Sequence, residues 1–492
     1  MIKKILICYF FLNYLFVNST TSTFLWKSTT FGKVNTPVLG DINNNGNIEA
    51  IISSTDGTVY AVNGTKGNFI WKFSTNNSIM SSPCLKDIDE DGILDVIISS
   101  KDGNVYGLKG INGKLLWKTF CGDEIVSSPA CKDINYGGFP EIIIATQKGK
   151  VLCLNAKEGK IQWTFNTNGE IISSPLIVDL NKDMIDDIIV SSCNGFVYAL
   201  NGKNGKSLWS FNSGQKIFLS STIINFDKDE KTNIIVFSDK IIYSIRGSNG
   251  TKLWSYNAKK SFSSSPISGD FNKDGKDEIV VFLENGEIIL LNSFLGTSIW
   301  KKELKQKICD GSAIANFNGN NSLDIIVGTY DGFIYVLDGE GNINLEIKVG
   351  EAINSGVVVG DVNSDGYSEI LVGSCERHLW CFSTSQKINT NTISWEMFQG
   401  SASRIANWKE IKQEKTFDIL YKKAIVFIKE EKWIKSLEIL RKIISLKPYH
   451  IAAKEQLLLV EKQIELLGLT DLLLTKQEIS DLFNKAAKEY NE

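Results

Sequence analysis

An acidic nonapeptide is the part of this 492-residue sequence best equipped for chemistry. Asp87-Ile88-Asp89-Glu90-Asp91-Gly92-Ile93-Leu94-Asp95 offers side-chain oxygens at positions 1, 3, 5 and 9. Alternate side chains on a tight loop converge on one point, Gly at position 6 permits the sharp turn, and a backbone carbonyl or a water can complete the six to eight oxygens that Ca2+ takes. The loop is no EF-hand: Ile98 stands at the twelfth position, and the flanking segments read as strands.

Seven further copies follow the same frame. Asp270 (with Asn272, Asp274, Gly275 and Glu278) and Asp361 (with Asn363, Asp365, Gly366 and Glu369) match fully. Asp41 (with Asn43, Asn45, Gly46 and Glu49) carries fewer charges and should bind more weakly. Asp179 keeps Asn181, Asp183 and Asp187 but has Met184 in place of the glycine. The copy at Asp133 has Gly137 at its fifth position, and those at Asn225 and Asn316 lose charge or turn residues. Asp and Asn also close turns on their own backbone without any metal, which is the reading expected for the degenerate copies. Calcium is expected at the full ones.

The copies start 45 or 46 residues apart, and a tryptophan recurs in phase at Trp26, Trp71, Trp117, Trp163, Trp209, Trp254 and Trp300. Leu345 takes the next place, and Trp395 comes late. Each period reads as four short strands. A segment such as Ser81-Ser82-Pro83 precedes the acidic motif, and a β-branched run such as Val96-Ile97-Ile98 follows it. Asp102-Gly103 then makes a hairpin turn, a third strand alternates as in Val59-Tyr60-Ala61-Val62, and a turn such as Asn112-Gly113-Lys114 leads to the tryptophan. Four antiparallel strands per period is a propeller blade, so the expected fold is an all-β eight-bladed β-propeller over residues 23–406, with seven blades as the alternative. Either residues 23–30 around Trp26 or the segment around Trp395 can close the ring.

The motif with its flanking strands resembles the calcium loop of FG-GAP (integrin-α-like, VCBS-type) propeller repeats. The Gly-x-Val-Tyr-x-Leu…Gly-Lys-x-x-Trp portion resembles the docking repeat of quinoprotein (PQQ-like) eight-bladed propellers. These resemblances imply radial blades, calcium on inter-strand loops and tryptophans docked between blades, a structural role preferred here to a carbohydrate or cofactor platform. They say little about function, because propellers host many activities.

Composition narrows the field. Lys+Arg 53 against Asp+Glu 56 gives a net charge of −3, without the basic surplus of a nucleic-acid binder. His378 and His450 are the only histidines, which argues against a His-based zinc site or a Ser-His-Asp triad. Recurrent Ser81, Ser82, Ser127, Ser128, Ser173, Ser174, Ser264 and Ser265 are expected to face the axial channel and bond backbone, with no base to make them nucleophiles. No vicinal cysteine pair of the quinoprotein kind occurs, and nothing conspicuous breaks the repeat, so an enzyme is not expected. Eight cysteines remain after Cys8, irregularly spaced and expected to be mostly buried thiols.

Lys3 and Lys4, the apolar residues 5–17 and the polar Asn18-Ser19-Thr20 have the order of a secretory signal peptide over residues 1–22. No later apolar run is long enough to span a membrane. Residues 407–492 are different material, expected to form a small all-α domain. Leu420, Ala424, Phe427 and then Trp433, Leu437, Leu440, Ile444 mark two amphipathic stripes, Pro448 ends the second, and Thr475-Lys476-Gln477-Glu478 is a capping box. The stretch resembles one tetratricopeptide repeat at Ala424, Phe427, Ser436, Leu440 and Pro448, and departs from it at Lys423.

The resulting expectation is an exported, non-catalytic calcium-binding scaffold for a protein or glycan partner. An envelope protein-assembly scaffold of the PQQ-like type, in peripheral association with membrane proteins, is one alternative. A cryptic quinoprotein-like oxidoreductase is the other.

Overall fold

The computed structural model describes residues 22–387 except 136–137, 184, 226–231, 305 and 318–321, and in the C-terminal part residues 420, 423–425, 427–428, 432–446 and 451–466. The basic and apolar N-terminal run, Gly137, Met184, Trp395, Pro448 and the capping box at 475–478 lie outside the described residues.

Thirty-two strands, β1 to β32 in chain order, form eight four-stranded antiparallel sheets, so the protein is an eight-bladed propeller. Blade 2 typifies the first seven: β6 (Cys84–Lys86), β7 (Asp95–Ser99), β8 (Asn104–Leu108) and β9 (Leu115–Phe120) pair in sequence order from the axis outward. Blade 8 is built from both ends of the repeat array. Its inner strands are β30 (Ile353–Gly360), β31 (Tyr367–Ser374) and β32 (His378–Lys387), and its outer strand is β1 (Ser22–Thr29). The N-terminal strand therefore closes the ring, with Thr23 opposite Ser383 and Lys27 opposite Trp380.

The third strands of blades 1, 2, 3 and 6 are buried on both faces rather than alternating, as all five residues of β8 show, whereas Tyr198, Tyr243 and Tyr335 stay half-buried between buried neighbours in blades 4, 5 and 7. Neighbouring blades cover a sheet from two sides near the axis, so a strand there is apolar throughout. Alternation in burial appears one strand further out, in β9, where the blades diverge and one side meets solvent. Just before the tryptophan the outer strand carries an extra residue: Gly107 faces Trp117 while Leu108 faces Leu115, and the same shift recurs in blades 1 and 3 to 7. A bulge of this kind re-aims the side chain beside it.

Here it aims the indole at the next blade. Trp71 Nε1 donates to the carbonyl of Gly110 at 2.7 Å, and Trp26, Trp117, Trp163, Trp209, Trp254 and Trp300 make the equivalent bond one blade on. Each ring covers a glycine of that turn. A Cβ on Gly113, where φ is +68°, would lie 2.5 Å from Trp71 Cε3.

Seven of the eight remaining cysteines are buried, Cys375 is half-buried, and all are free thiols. The expected channel serines are buried too. They link blades in series: Ser82 N donates to Ser128 Oγ (3.0 Å), Ser128 N to Ser174 Oγ (3.0 Å) and Ser174 N to Ser220 Oγ (2.9 Å).

At the C-terminal end, α1 (Trp433–Leu446) and α2 (Ile451–Leu466) pack through Leu437, Leu440, Ile444, Leu457, Val460 and Ile464, with Ala424 buried in the same cluster. Arg441 reaches Glu461 across the pair at 3.3 Å.

Candidate metal-binding loops

In each blade the acidic motif connects the first strand to the second, and its ninth residue is among the first three residues of that second strand. Strand direction alternates, so these loops share one face with the turns between third and fourth strands. The connectors between blades and the Asp-Gly hairpins lie on the other.

The ninth residue forms the neck of the loop. Glu49, Asp95, Glu141, Asp187, Asn233, Glu278, Asp324 and Glu369 are all buried. In seven of them one carboxylate oxygen accepts the N–H of position 2, from Ile42, Ile88, Ile134, Leu180, Phe271, Phe317 and Val362, at 2.8–3.2 Å. The neck thus closes whether or not the rest of the motif is intact.

Above the neck, positions 1, 3 and 5 are tied to the loop's own backbone. Asp361 takes the N–H of Gly366 (2.9 Å) and of Asp365 (3.1 Å), Asn363 takes that of Asp365 (2.9 Å), and Asp365 takes that of Tyr367 (2.8 Å). Asp270 repeats the pattern through Gly275, with Asn272 and Asp274 in the same places, and Asp41 repeats it with Asn43 and Asn45. This ladder forces the backbone into the left-handed region at position 4 and at the glycine. Lys273 has φ 62° and Gly275 has φ 84–85° in company with Gly46, Gly92 and Gly366.

The copies then differ. Asp87, Asp89 and Asp95 each bring an oxygen within 4.8 Å of the others, as do Asp361, Asp365 and Glu369. Among the described residues the acids at 270, 274 and 278, and at 179, 183 and 187, do not converge that closely. In blades 6 and 8 the second oxygen of the neck glutamate is met by the Nδ2 of Asn272 (2.8 Å) and Asn363 (3.3 Å). Glu49 Oε1 and Asp187 Oδ1 are buried without a hydrogen-bond partner. In blade 2, Gly110 N donates to the second oxygen of Asp95 at 3.0 Å, and the ammonium of Lys109 stands 2.9 Å from Asp89 Oδ2 and 3.1 Å from Asp91 Oδ2.

Burial pushes the neck carboxyls up, the backbone N–H pulls them down, and the rim carboxylates push them up again. Asp95 ends at about 6, Glu278 and Glu369 at about 7, and Asp187 at about 8. Glu49 is raised in the same way. All-oxygen donor sets of mixed carboxylate and amide type, with orphaned buried oxygens in two of them, suit a hard divalent cation.

Sequence reasoning missed the places where the repeat breaks. Asp310 stands where other blades have Ser81, Ser127, Ser173 and Ser264, and its Oδ1 accepts from Ser264 Oγ and Ser265 N, both at 3.1 Å. In blade 8, Arg377 replaces the hairpin glycine with φ 71°, and His378 follows it. Glu351 gathers Ser374 Oγ (2.6 Å), His378 Nδ1 (2.8 Å) and Trp380 Nε1 (3.1 Å). Burial pushes Glu351 up, but these three donors outweigh it and hold the carboxyl below its ordinary range. Aligning the eight periods residue by residue would have exposed both departures.

Fold and loops define a β-propeller repeat protein with acidic inter-strand loops. The lambda-carrageenase beta-propeller domain family matches residues 13–85, 96–178 and 324–431, more than half of the sequence, and the chain belongs to that family. The family of the outer membrane protein assembly factor BamB matches residues 140–275 and 186–358. No curated protein matches the sequence. Among solved structures, BamB from Moraxella catarrhalis superposes with a TM-score of 0.55 at 14% identity, covering 75% of this chain and 99% of that one. Saccharomyces cerevisiae Sqt1 gives 0.57 at 15%, covering 74% and 99%. The V. cholerae biofilm matrix protein Bap1 gives 0.57 at 13%, covering 79% and 96%. At such identities the likeness is one of fold.

Proposed function

We propose that this protein is an exported, non-catalytic calcium-binding propeller that holds a protein or glycan partner on its connector face. The carrying observation is the exposure on that face of Phe31 (77%), Met80, Phe120, Phe218 and Tyr330. The scaffold beneath is rigid, with docked tryptophans between blades and loop necks closed by buried acids. Large apolar side chains presented from such a frame suit binding more than solubility. Calcium at the loops of Asp41, Asp179, Asp270 and Asp361 would stiffen the opposite face; the FG-GAP resemblance, the all-oxygen donor sets and the orphaned oxygens of Glu49 and Asp187 support it.

Thermal unfolding of residues 23–492 in EGTA and then in millimolar Ca2+ tests the calcium half. A site of micromolar affinity adds about 4 kcal/mol at that concentration, and Mg2+ should not reproduce the shift. An unchanged melting temperature would leave the loops as turn formers. For the binding half, the variant carrying Phe31→Asp and Phe120→Asp should stay folded and lose its partner.

The match to the BamB family favours a second reading, an envelope protein-assembly scaffold in which residues 407–492 dock on membrane proteins. Removing those residues should then abolish complex formation and leave the propeller's melting temperature unchanged.

A further inference from the structure

We infer that Lys109 is a built-in counter-ion of the blade 2 loop, which keeps the most acidic of the eight copies from taking the divalent cation. The inference rests on the calcium reading of the loops and concerns which of them respond.

By charge alone, the loop of Asp87, Asp89, Asp91 and Asp95 should bind calcium most tightly. Its geometry says otherwise. The Lys109 ammonium lies 2.9 Å from Asp89 Oδ2 and 3.1 Å from Asp91 Oδ2, and these belong to positions 3 and 5, whose free oxygens a metal would use. The placement is not a chance swing of a long side chain. The backbone beneath it is fixed on three sides: Lys109 N donates to the Lys114 carbonyl (2.8 Å), Gly113 N to the Lys109 carbonyl (2.8 Å), and Gly110 N to Asp95 Oδ1 (3.0 Å).

The repeat shows that this lysine is a departure. Each docked tryptophan bonds the carbonyl of the residue just after this position, which aligns Lys109 with Asn63, Asn155, Asn201, Arg246, Asn292 and Asp338. In three of the four blades with asparagine there, its side chain caps its own turn. Asn63 Oδ1 takes the N–H of Lys66 (2.9 Å), Asn155 that of Glu158 (3.1 Å), and Asn292 that of Leu295 (2.8 Å). A lysine cannot accept such a bond. Its ammonium crosses to the neighbouring acidic loop instead. From the next blade, Lys157 adds a second cation at Glu90, position 4 of the same loop, at 3.1 Å. A divalent ion entering this loop must displace a tethered charge that the other full copies do not receive from their own turns: blade 6 has Asn292 there, and the described part of blade 8 has no such turn.

Calcium titration calorimetry on the wild-type chain and on Lys109→Asn tests this, with CaCl2 as the probe in 0.15 M NaCl. The variant should bind one more Ca2+ per chain than the wild type, or bind at the blade 2 loop about tenfold more tightly. Lys109→Met, which removes the charge without adding a turn cap, should do the same. Adding Asp89→Asn and Asp91→Asn to Lys109→Asn should erase the gain, and the same pair in the wild type should leave its stoichiometry unchanged. Equal, non-zero stoichiometry with unchanged affinities in wild type and both Lys109 variants overturns the counter-ion role and leaves the calcium reading intact. No binding by any of them overturns the calcium reading, and this inference falls with it.

Discussion

Each repeat has a tryptophan half and an acidic half, and the two have been held to different standards. The tryptophan half is nearly uniform because it is solved jointly by two blades. An indole placed by a bulge in one blade must find a carbonyl and a bare glycine in the next, so neither partner can drift alone. The acidic half is solved within a single loop. Its second residue reaches the interior as an apolar anchor, and its ninth as a polar one, where every blade keeps a buried Asp, Glu or Asn. Positions 3 to 5 stay nearer the surface, where the copies diverge in charge, in the glycine that follows and in neighbours such as Lys109. Uniformity follows the number of elements that depend on a residue rather than the chemistry it offers.

The comparison breaks first if a docked tryptophan proves dispensable. Trp26 is 7% exposed, bonds the Gly64 carbonyl at 2.7 Å, and sits on the strand that closes the ring. Trp26→Ala should cost about 3–5 kcal/mol, read as a lowered urea midpoint. A loss below about 1 kcal/mol would mean that closure does not depend on the indole. Gly113→Ala attacks the same kind of joint from the receiving side. It adds a Cβ 2.5 Å from Trp71 Cε3 at a residue whose φ is +68°, so clash and backbone strain combine to about 3 kcal/mol.

The period, the four strands per blade and the tryptophan contacts were legible because they recur in phase. Which strand closes the ring was not, although Leu345 carried the signal. A docked tryptophan needs a turn between third and fourth strands in the next blade. Blade 8 takes those strands, β32 and β1, from distant parts of the chain, so no hairpin joins them, and the blade before it keeps a buried leucine instead. The alternation expected of the third strands holds only in part: blade stacking buries every side chain of Val59-Tyr60-Ala61-Val62, while Tyr198 stays half-buried between Val197 and Ala199. Lys109 was illegible for another reason. It lies 20 residues beyond Asp89, and only the folded blade lays that turn over the loop.

Within the acidic half, the neck should behave as structure and the rim should not. Glu141 isolates the neck, because its loop is a degenerate copy. Its oxygens accept from Ile134 N and Asn135 Nδ2, both at 3.0 Å, and burial pushes its carboxyl up to about 7. The raised value fixes the sign. Below about pH 4.5 the group is protonated folded or unfolded, and its contribution is fully present. As pH rises through 7 the folded chain must hold a buried charge, and up to about 3 kcal/mol is lost. Glu141→Gln, neutral at every pH, should flatten the fall of the EGTA-treated protein's urea midpoint between pH 5 and pH 8. An unchanged slope would place the pH dependence elsewhere.

The smallest effect is the sharpest contrast between the halves. Gly92 has φ +85°, yet a Cβ there would meet nothing within 4 Å. Its constraint is its own backbone conformation, with no neighbour involved. Gly92→Ala should therefore cost about 1 kcal/mol in EGTA. Gly92→Asn should cost less, because asparagine tolerates the left-handed region better than other side chains do. At Gly113 that relief is not available, since any Cβ meets the Trp71 ring and asparagine must lose as much as alanine. Matched urea curves for the four variants decide it. If asparagine rescues both sites equally, the tryptophan half is governed by local turn chemistry, and joint constraint by two blades is not what keeps it uniform.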